Sequence, residues 1–551
     1  MMRIRRTSKW RRHPFVEPDE IFLDSKNLPE FDTQQFEGRL EKPIGKRVLR
    51  FAYGAIVVIF ICFGIRLVYL QIIHGTDYFA RSERNSLMQE PLYSPRGVVY
   101  DRNGVALVYN QQKNETDDYA ARVYTPLSGF GHILGYVSYP ARNATTGAYV
   151  RTEYLGKDGI EKEYNDMLTG TPGLRITERD AKGAVVSENI ENPPSPGANL
   201  TLSIDADLQS ALYQKIAEVA RDANYKGGAG VIMDINTGEI IALASYPDYF
   251  PSILSDGKDV ATINAYFNDS RNPLLDRAVS GLYSPGSIVK PMIGIAGLTE
   301  GVITEHTLIV SHDYISIPNP YDPTQETHFK DFNKNNGILD IRHALKVSSN
   351  IFFYEVGGGY QNQPGIGITN IVKYTHMFGL GAPSGIDLPG EKSGVVPDPT
   401  WKAKNFPKDP TWRLGDTYHT AIGQYGFQVT PLQMVRVMAA VGSRGKLVTP
   451  HLIKDEDPAK IPVTQLPFKD EYWQAIQDGT RLVVAEGTAT RLNKLPFHVA
   501  AKTGTAQVGV NNEFINSSAM TFFPYEQPRY ASMVIMERGP SSNTVGATVA
   551  P

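Results

Sequence analysis

The segment Gly281-Leu282-Tyr283-Ser284-Pro285-Gly286-Ser287-Ile288-Val289-Lys290-Pro291 decides how the rest of the chain is read. Pro285 and Gly286 are turn formers, and the apolar residues of Met292-Ile293-Gly294-Ile295-Ala296-Gly297-Leu298 recur at helical spacing, which predicts a helix beginning near Ser287. Residues three apart share a helix face. The Lys290 ammonium is therefore expected to reach back to the Ser287 hydroxyl, with the first unpaired N–H groups of the helix aimed at the same spot. A serine hydroxyl needs a positioned proton acceptor at neutral pH, and a partly desolvated lysine supplies one. Pro291 lacks an N–H and crowds the carbonyl four residues earlier, that of Ser287, so the first turn is expected to be distorted.

Alone, the Ser-x-x-Lys spacing is weak: it recurs at Ser255/Lys258 and Ser443/Lys446, and its plain reading is a capped helix with a solvated lysine. Two more patterns follow in order. Ser348-Ser349-Asn350 ends the stretch 340–350, and Lys502-Thr503-Gly504-Thr505 lies in the strand-like run 499–508. Ser-x-Asn also occurs at Ser25/Asn27, Ser187/Asn189, Ser270/Asn272 and Ser541/Asn543, whereas Lys-Thr-Gly occurs once.

Together the three patterns resemble the penicillin-binding proteins of the serine acyl-transferase superfamily, in which they converge on one cleft. Asn272-Pro273-Leu274-Leu275-Asp276-Arg277-Ala278, Gly415-Asp416-Thr417 and Thr430-Pro431-Leu432-Gln433 are similar to further blocks of that family. Arg96-Gly97-Val98-Val99-Tyr100-Asp101-Arg102-Asn103-Gly104 and the run from Gly156-Lys157-Asp158-Gly159-Ile160-Glu161 to Gly173 are similar to the start of its class B, monofunctional members. Residues 66–71 and 272–277 look closest to the elongation type.

The chain has 551 residues, 41% hydrophobic and 21% charged, with a formal net charge of −3. It is long enough for more than one core and has no charge excess that would suggest nucleic acid. A single cysteine, Cys62, excludes an internal disulfide, and no Cys-x-x-Cys or His-Glu-x-x-His occurs among the 11 histidines, so no metal site is indicated. His343 and His419 read as hydrogen-bonded structural residues.

Residues 1–49 mix charge and proline without periodicity and read as a cytoplasmic tail. Residues 51–65 are uncharged and the apolar character continues to Ile73, so residues 50–73 reach the ~20 residues a bilayer requires. No small-residue cleavage site follows. Arg39, Lys42, Lys46, Arg47 and Arg50 precede the span, which predicts a single-pass signal anchor in the cell membrane, with the N-terminus cytoplasmic and the rest outside. By the resemblance, residues 74–199 form a non-catalytic, β-rich pedestal. It is reduced, because about fifty residues separate Gly104 from Gly156 where many relatives insert a further lobe.

Pro193-Pro194-Ser195-Pro196-Gly197 marks a boundary, and residues 200–551 make the large domain. A hairpin over 229–245, turning at Asn236-Thr237-Gly238, and strands near 499–508, 519–523 and 530–537 bracket a helical middle. The fold class is therefore α+β, an antiparallel sheet faced by helices, and the resemblance implies the β-lactamase/transpeptidase-like fold. Gly423-Gln424-Tyr425-Gly426 replaces the family's Gly-Gln-Gly, so the left-handed position is expected to have moved to Gly426. The chain stops at Pro551 where relatives continue into a helix, so apolar surface beside the last strand is expected to lie uncovered.

The resemblance implies peptidoglycan cross-linking by D,D-transpeptidation, with no cofactor. Ser287 attacks the terminal D-Ala-D-Ala amide, Lys290 accepts its proton, Ser348 relays a proton to the leaving amine and Lys502 supplies positive charge; which lysine is the formal base stays open. Asn350, Thr503, Gly504 and Thr505 bind the substrate, and the N–H groups of Ser287 and Thr505 form the oxyanion hole. Stem peptides, β-lactams, the membrane, a membrane glycan polymerase and a cell-wall synthesis complex are the implied partners. A membrane-anchored β-lactam sensor or β-lactamase would keep the three motifs but is not expected to carry the pedestal blocks. A non-catalytic wall scaffold is expected to lose motif side chains. Glu300 and Glu355 read as surface charge, which leaves no deacylating glutamate in view.

Overall fold

A computed structural model describes residues 45–79, 87–112, 119–143, 149–151, 153–179, 185–319, 322, 324–454 and 460–541. The expected tail up to residue 44 lies outside the described residues. The chain divides into two units, residues 1–88 with 180–182, and residues 89–179 with 183–551.

In the first unit, helix α1 spans Lys46–Val68 and runs into a π-turn, Tyr69–Ile73, with no buried side chain. These 28 residues are long and apolar enough to cross a membrane. At 1.5 Å per residue they extend ~42 Å, against ~30 Å of hydrocarbon. Arg66 lies over the Tyr69 ring at 5.3 Å, a cationic and aromatic pair at the far end of the helix.

In the second unit the expected sheet is present. Its strands are β1 (Gly227–Asp234), β2 (Ile240–Tyr246), β3 (Ala500–Val508), β4 (Phe514–Phe523) and β5 (Tyr530–Pro540). The order is β2-β1-β5-β4-β3 and every neighbouring pair is antiparallel. Helix α2 (Ala206–Asp222) starts where the Asp205 carboxylate accepts the Leu208 N–H at 3.0 Å. It lays Ile216 and Leu212 on β1, where a Cβ added at Gly228 or Gly230 would come within 2.9 Å of Ile216. The glycines of this strand thus set how closely the helix packs.

The helical middle supplies α3 (Lys290–Thr299), α4 (Ile341–Val347), α5 (Asn350–Gly358), α6 (Leu414–Ala421), α7 (Pro431–Gly442) and α8 (Asp470–Ala485). Helix α7 opens with a Thr430/Gln433 capping box and Pro431 in its first turn, and it packs on β1, β4 and β5. It is apolar nearly all round because it is buried nearly all round. Helix α3 is buried from Lys290 to Leu298. Gly294 faces Ile341 of α4 and Ile476 of α8 there, at 3.0 and 2.8 Å from an added Cβ.

The region expected to form the pedestal carries two small sheets, one with Gly173–Arg179 between Leu87–Leu92 and Val185–Asn192, the other ordered Leu200–Thr201 (just past that region), Val99–Tyr100, Ala106–Gln111, Ala121–Tyr124. Its centre is ionic. The buried Glu161 carboxylate accepts from Arg96 Nε at 2.5 Å and Arg122 Nε at 2.7 Å, and Arg96 also donates to the Glu161 carbonyl and the Thr169 hydroxyl. The blocks 96–104 and 156–173 are therefore joined at one carboxylate.

The expectation of an uncovered apolar strand is not met among the described side chains of β5: Met533, Ile535 and Met536 are buried and Tyr530 and Val534 half-buried. Residues 542–551 lie outside the described residues.

Candidate active site

Ser287 stands on a 3-10 turn, Gly286–Val289, and the α-helix begins at Lys290. The expected α-helical start is thus tightened by one bond: the Ser287 carbonyl accepts the Lys290 N–H, which accommodates the missing N–H and bulky ring of Pro291. Gly286 is left-handed, φ +59°, and donates its N–H to the Gly423 carbonyl at 2.9 Å. A Cβ at Gly423 would stand 2.4 Å from the Gly286 oxygen. The left-handed residue expected at Gly426 is present. Gly423 keeps φ +77°, and Tyr425 and Gly426 add two more left-handed residues at +60° and +79°.

The Lys-Thr-Gly motif lies on β3, the edge strand of the sheet, whose free side faces the cleft. A Cβ at Gly504 would come within 3.0 Å of the Pro285 oxygen and Ile288, and 2.5 Å of the Ser518 hydroxyl. Gly504 lines the cleft, but the space it leaves is filled by the turn that carries Ser287 rather than kept open for a ligand. Thr503 also lines the cleft and shares a hydrogen bond of 2.7 Å with Thr488.

Ser348 ends α4 in the left-handed region, φ +59°, and Ser349 caps α5 by accepting the Phe352 N–H at 3.2 Å. That conformation costs a serine roughly 1–2 kcal/mol and turns its side chain toward two lysines. Lys502 donates to the Ser348 hydroxyl at 2.8 Å and to the Thr503 carbonyl at 2.9 Å. Lys290 donates to the Ser348 carbonyl at 2.7 Å and Asn350 Oδ1 at 2.8 Å, and lies 3.5 Å from the Ser348 hydroxyl.

Both lysines are fully buried. Among the described residues no hydrogen bond joins Lys290 to Ser287. A desolvated ammonium takes the stronger carbonyl and carboxamide acceptors that the α4–α5 junction offers. Burial pushes the Lys290 amine from 10.5 down to about 7, opposed by the Asp331 carboxylate. Burial, and then the charge of Lys290, hold Lys502 well below its ordinary value. The pair therefore holds fewer than two protons at neutral pH.

Ser287 is half-buried at the wall of a cleft of about 590 Å³, which Ser348, Asn350, Thr503, Gly504 and Thr505 also line. The two lysines lie beneath it. A hydroxyl facing a ligand-sized space, with amines of depressed basicity behind it and a strand edge alongside, can perform nucleophilic acyl transfer on an extended peptide. Among the described residues no three His, Cys, Asp or Glu side chains are grouped to hold a metal ion.

A family model described as the penicillin binding protein transpeptidase domain matches residues 228–551, more than half of the chain. The chain belongs to the penicillin-binding proteins. A second model, the penicillin-binding protein dimerisation domain, matches residues 114–202, within the region expected to form the pedestal and just past it. Peptidoglycan D,D-transpeptidase MrdA of Escherichia coli (strain K12) is 30% identical, with 87% of this chain and 88% of the relative covered. The solved complex of the penicillin-binding protein PBP2 with MreC from Helicobacter pylori matches with a TM-score of 0.67 at 26% identity, covering 82% of this chain and 95% of that one. PBP2 of Pseudomonas aeruginosa in complex with WCK 5153 matches with a TM-score of 0.66 at 27% identity, covering 83% and 94%. The chain is thus a class B penicillin-binding protein, closest to the elongation type.

Several features of this penicillin-binding protein were not visible as site residues in the sequence. Arg277, in the block ahead of the nucleophile, is fully buried and donates to Glu537 of β5 at 2.6 Å. Glu355 is not surface charge: it is buried on α5, and burial pushes its carboxyl up to about 7. Glu300 is exposed and holds Lys373 and Tyr374. His343 bonds Asp340 as expected, but His419 lines the cleft with a buried Nδ1 that has no hydrogen-bond partner among the described residues, and its ring packs against Phe329 at 5.3 Å.

Proposed function

We propose that Ser287 is the nucleophile of peptidoglycan cross-linking and that the two lysines beneath it divide the proton handling. The enzyme is a D,D-transpeptidase, and the observation that carries the residue assignment is the convergence of Lys290 and Lys502 on Ser348 beside Ser287. Ser287 Oγ attacks the carbonyl of the terminal D-Ala-D-Ala amide of a stem peptide. The neutral fraction of Lys290 takes its proton, either directly once the substrate displaces the present contacts or through the Ser348 hydroxyl. Ser348 delivers a proton to the departing D-alanine amine, and the charge on Lys502 is restored when the anionic substrate arrives. The N–H groups of Ser287 and Thr505 stabilise the oxyanion, each such donor being worth about 2.7–4 kcal/mol. The free edge of β3 aligns the peptide, with Asn350, Thr503, Gly504 and Thr505 as its contacts. An amine from a second stem peptide then resolves the acyl-enzyme.

The proposed organisation is a cytoplasmic tail at 1–49, a transmembrane anchor at 50–73, a pedestal at 74–199 and a transpeptidase domain at 200–551. The basic residues ahead of α1 and in its first turns keep the tail inside and the catalytic domain outside. Partners in this reading are stem peptides, β-lactams, a membrane glycan polymerase and a cell-wall synthesis complex containing a protein like the MreC seen with the Helicobacter pylori relative. The test is labelling with a fluorescent penicillin followed by peptide mapping. Label on Ser287 supports the assignment, and label retained by Ser287→Ala overturns it.

A further inference from the structure

Asp331 belongs to none of the three motifs and follows the hairpin of Tyr314–Pro318 and Glu326–Lys330. Its carboxylate collects five donors. Oδ1 accepts the N–H of Asn350 at 2.6 Å and of Phe332 at 2.7 Å, while Oδ2 accepts the Ser349 hydroxyl at 2.8 Å, the Asn336 amide at 3.0 Å and the Ser311 hydroxyl. A carboxylate offers about four lone-pair sites, so this one is saturated by protein and is not a free acid or base.

Three segments meet on it: the strand Ile309–Ser311, the loop 331–336 and the α4–α5 junction. Asn350 is the link to the chemistry, since its N–H rests on Asp331 while its Oδ1 accepts from Lys290 at 2.8 Å. Ser349 bonds Asp331 with the same hydroxyl that caps α5. Ser348, left-handed and held by both lysines, lies immediately before them. The lysines contact the junction through Ser348 and the Asn350 carboxamide, and the aspartate, which also lines the cleft, contacts it through the Asn350 N–H and the Ser349 hydroxyl.

We propose that Asp331 is a positioning residue for acyl transfer, pinning the Ser348-Ser349-Asn350 junction so that its hydroxyl and carboxamide stay in register with Lys290. The inference rests on the acyl-transfer reading of the cleft. Two charged groups face the Lys290 amine, Lys502 from β3 and Asp331 from the hairpin loop, while α5 presents Asn350 and the Phe353 ring at 5.5 Å. Asp331 is the one that favours the protonated amine. Removing its charge therefore shifts the acid limb of acylation to lower pH, even as the loosened junction slows the reaction.

The test measures second-order acylation of the full chain by a fluorescent penicillin from pH 5.5 to 9, for the wild type, Asp331→Asn and Asn336→Ala. The expected result is a loss of ~10- to 100-fold for Asp331→Asn with its acid limb displaced downward, the size of effect that misplacing a catalytic group produces. Asn336→Ala, which keeps the carboxylate and removes one donor, is expected to slow acylation about threefold or more with the limb unmoved. An Asp331→Asn protein with the wild-type rate, or slowed with an unmoved limb, overturns the inference while leaving Ser287 as nucleophile. If Asp331→Asn does not fold, an unchanged rate in Asn336→Ala overturns it. Wild-type protein that takes no label at Ser287 overturns the underlying reading and this inference with it.

Discussion

Lys502 donates to the hydroxyl of Ser348 at 2.8 Å from beneath the cleft. With Lys290 on the carbonyl of the same serine, two amines and one hydroxyl form a single proton-handling unit. In the proposed mechanism its protonation state, more than the geometry of Ser287 alone, sets when Ser287 can act.

Lys290 has its basicity pushed down to about 7, so its base form is lost as the pH falls through that value and gained as it rises. Penicillin acylation of Ser287 is expected to fall roughly tenfold for each pH unit below about 7, and to flatten above it. Stopped-flow labelling from pH 5 to 9 checks this, and a flat profile across the range would remove Lys290 from the role of base.

Ser255 and Ser443 repeat the Ser-x-x-Lys spacing but are committed elsewhere. Ser255 is buried and accepts the Val137 N–H at 3.1 Å, and Ser443 donates to the Ala439 carbonyl at 2.7 Å. Mass mapping after penicillin treatment should find adduct on Ser287 and none on either of them.

Gly423→Ala would set a methyl 2.4 Å from the Gly286 oxygen, and at φ +77°. The nucleophile turn has to shift to admit it. Acylation is expected to drop by about 100-fold with a stability loss of roughly 1–3 kcal/mol. Thermal melting and labelling on one preparation separate the two effects, and an unimpaired variant would show that the turn does not depend on this contact.

Glu355 carries the opposite sign from a salt-bridged carboxylate. Burial raises its folded value to about 7, above the ordinary unfolded one, so between those values the folded state binds more proton than the unfolded state and stability falls as pH rises. Above pH 7 the full cost is present. Glu355→Gln is expected to stabilise the protein by about 1–2 kcal/mol at pH 8 and by little at pH 5. Equal melting shifts at both values would contradict this.

The sheet was legible because β1 and β2 flank an Asn-Thr-Gly turn, and the motif positions were legible because each holds a distinctive side chain at fixed spacing. Other features were hidden for definite reasons. Helical spacing places Lys290 near Ser287, but the acceptors that win its ammonium are brought in by Ser348 and Asn350, far along the chain. Asp331 has no local pattern, since its partners lie on both sides of it in sequence. Glu355 sits on a helix buried almost all round, so periodicity could not assign it a face. The close packing at Gly504 was hidden because the turn that fills its space is some two hundred residues away in the chain.

Gly230 of β1 lies across from Val534 of β5. During synthesis β1 meets β2 almost at once, but its second edge must wait roughly 300 residues for a partner, on the order of 15–60 s at ~5–20 residues per second. Hairpin formation takes microseconds. For nearly all of that interval a flat run of Gly, Ala, Val and Ile presents unpaired backbone, the kind of edge on which chains cross-pair and aggregate. Helix α2 packs on the face of β1 and leaves this edge open until β5 arrives. A chain that ends before residue 530 already bears Ser287, Ser348 and Lys502 but lacks the strand that joins β1 to β4, so the residues of the site are complete in sequence before the sheet that carries them can close.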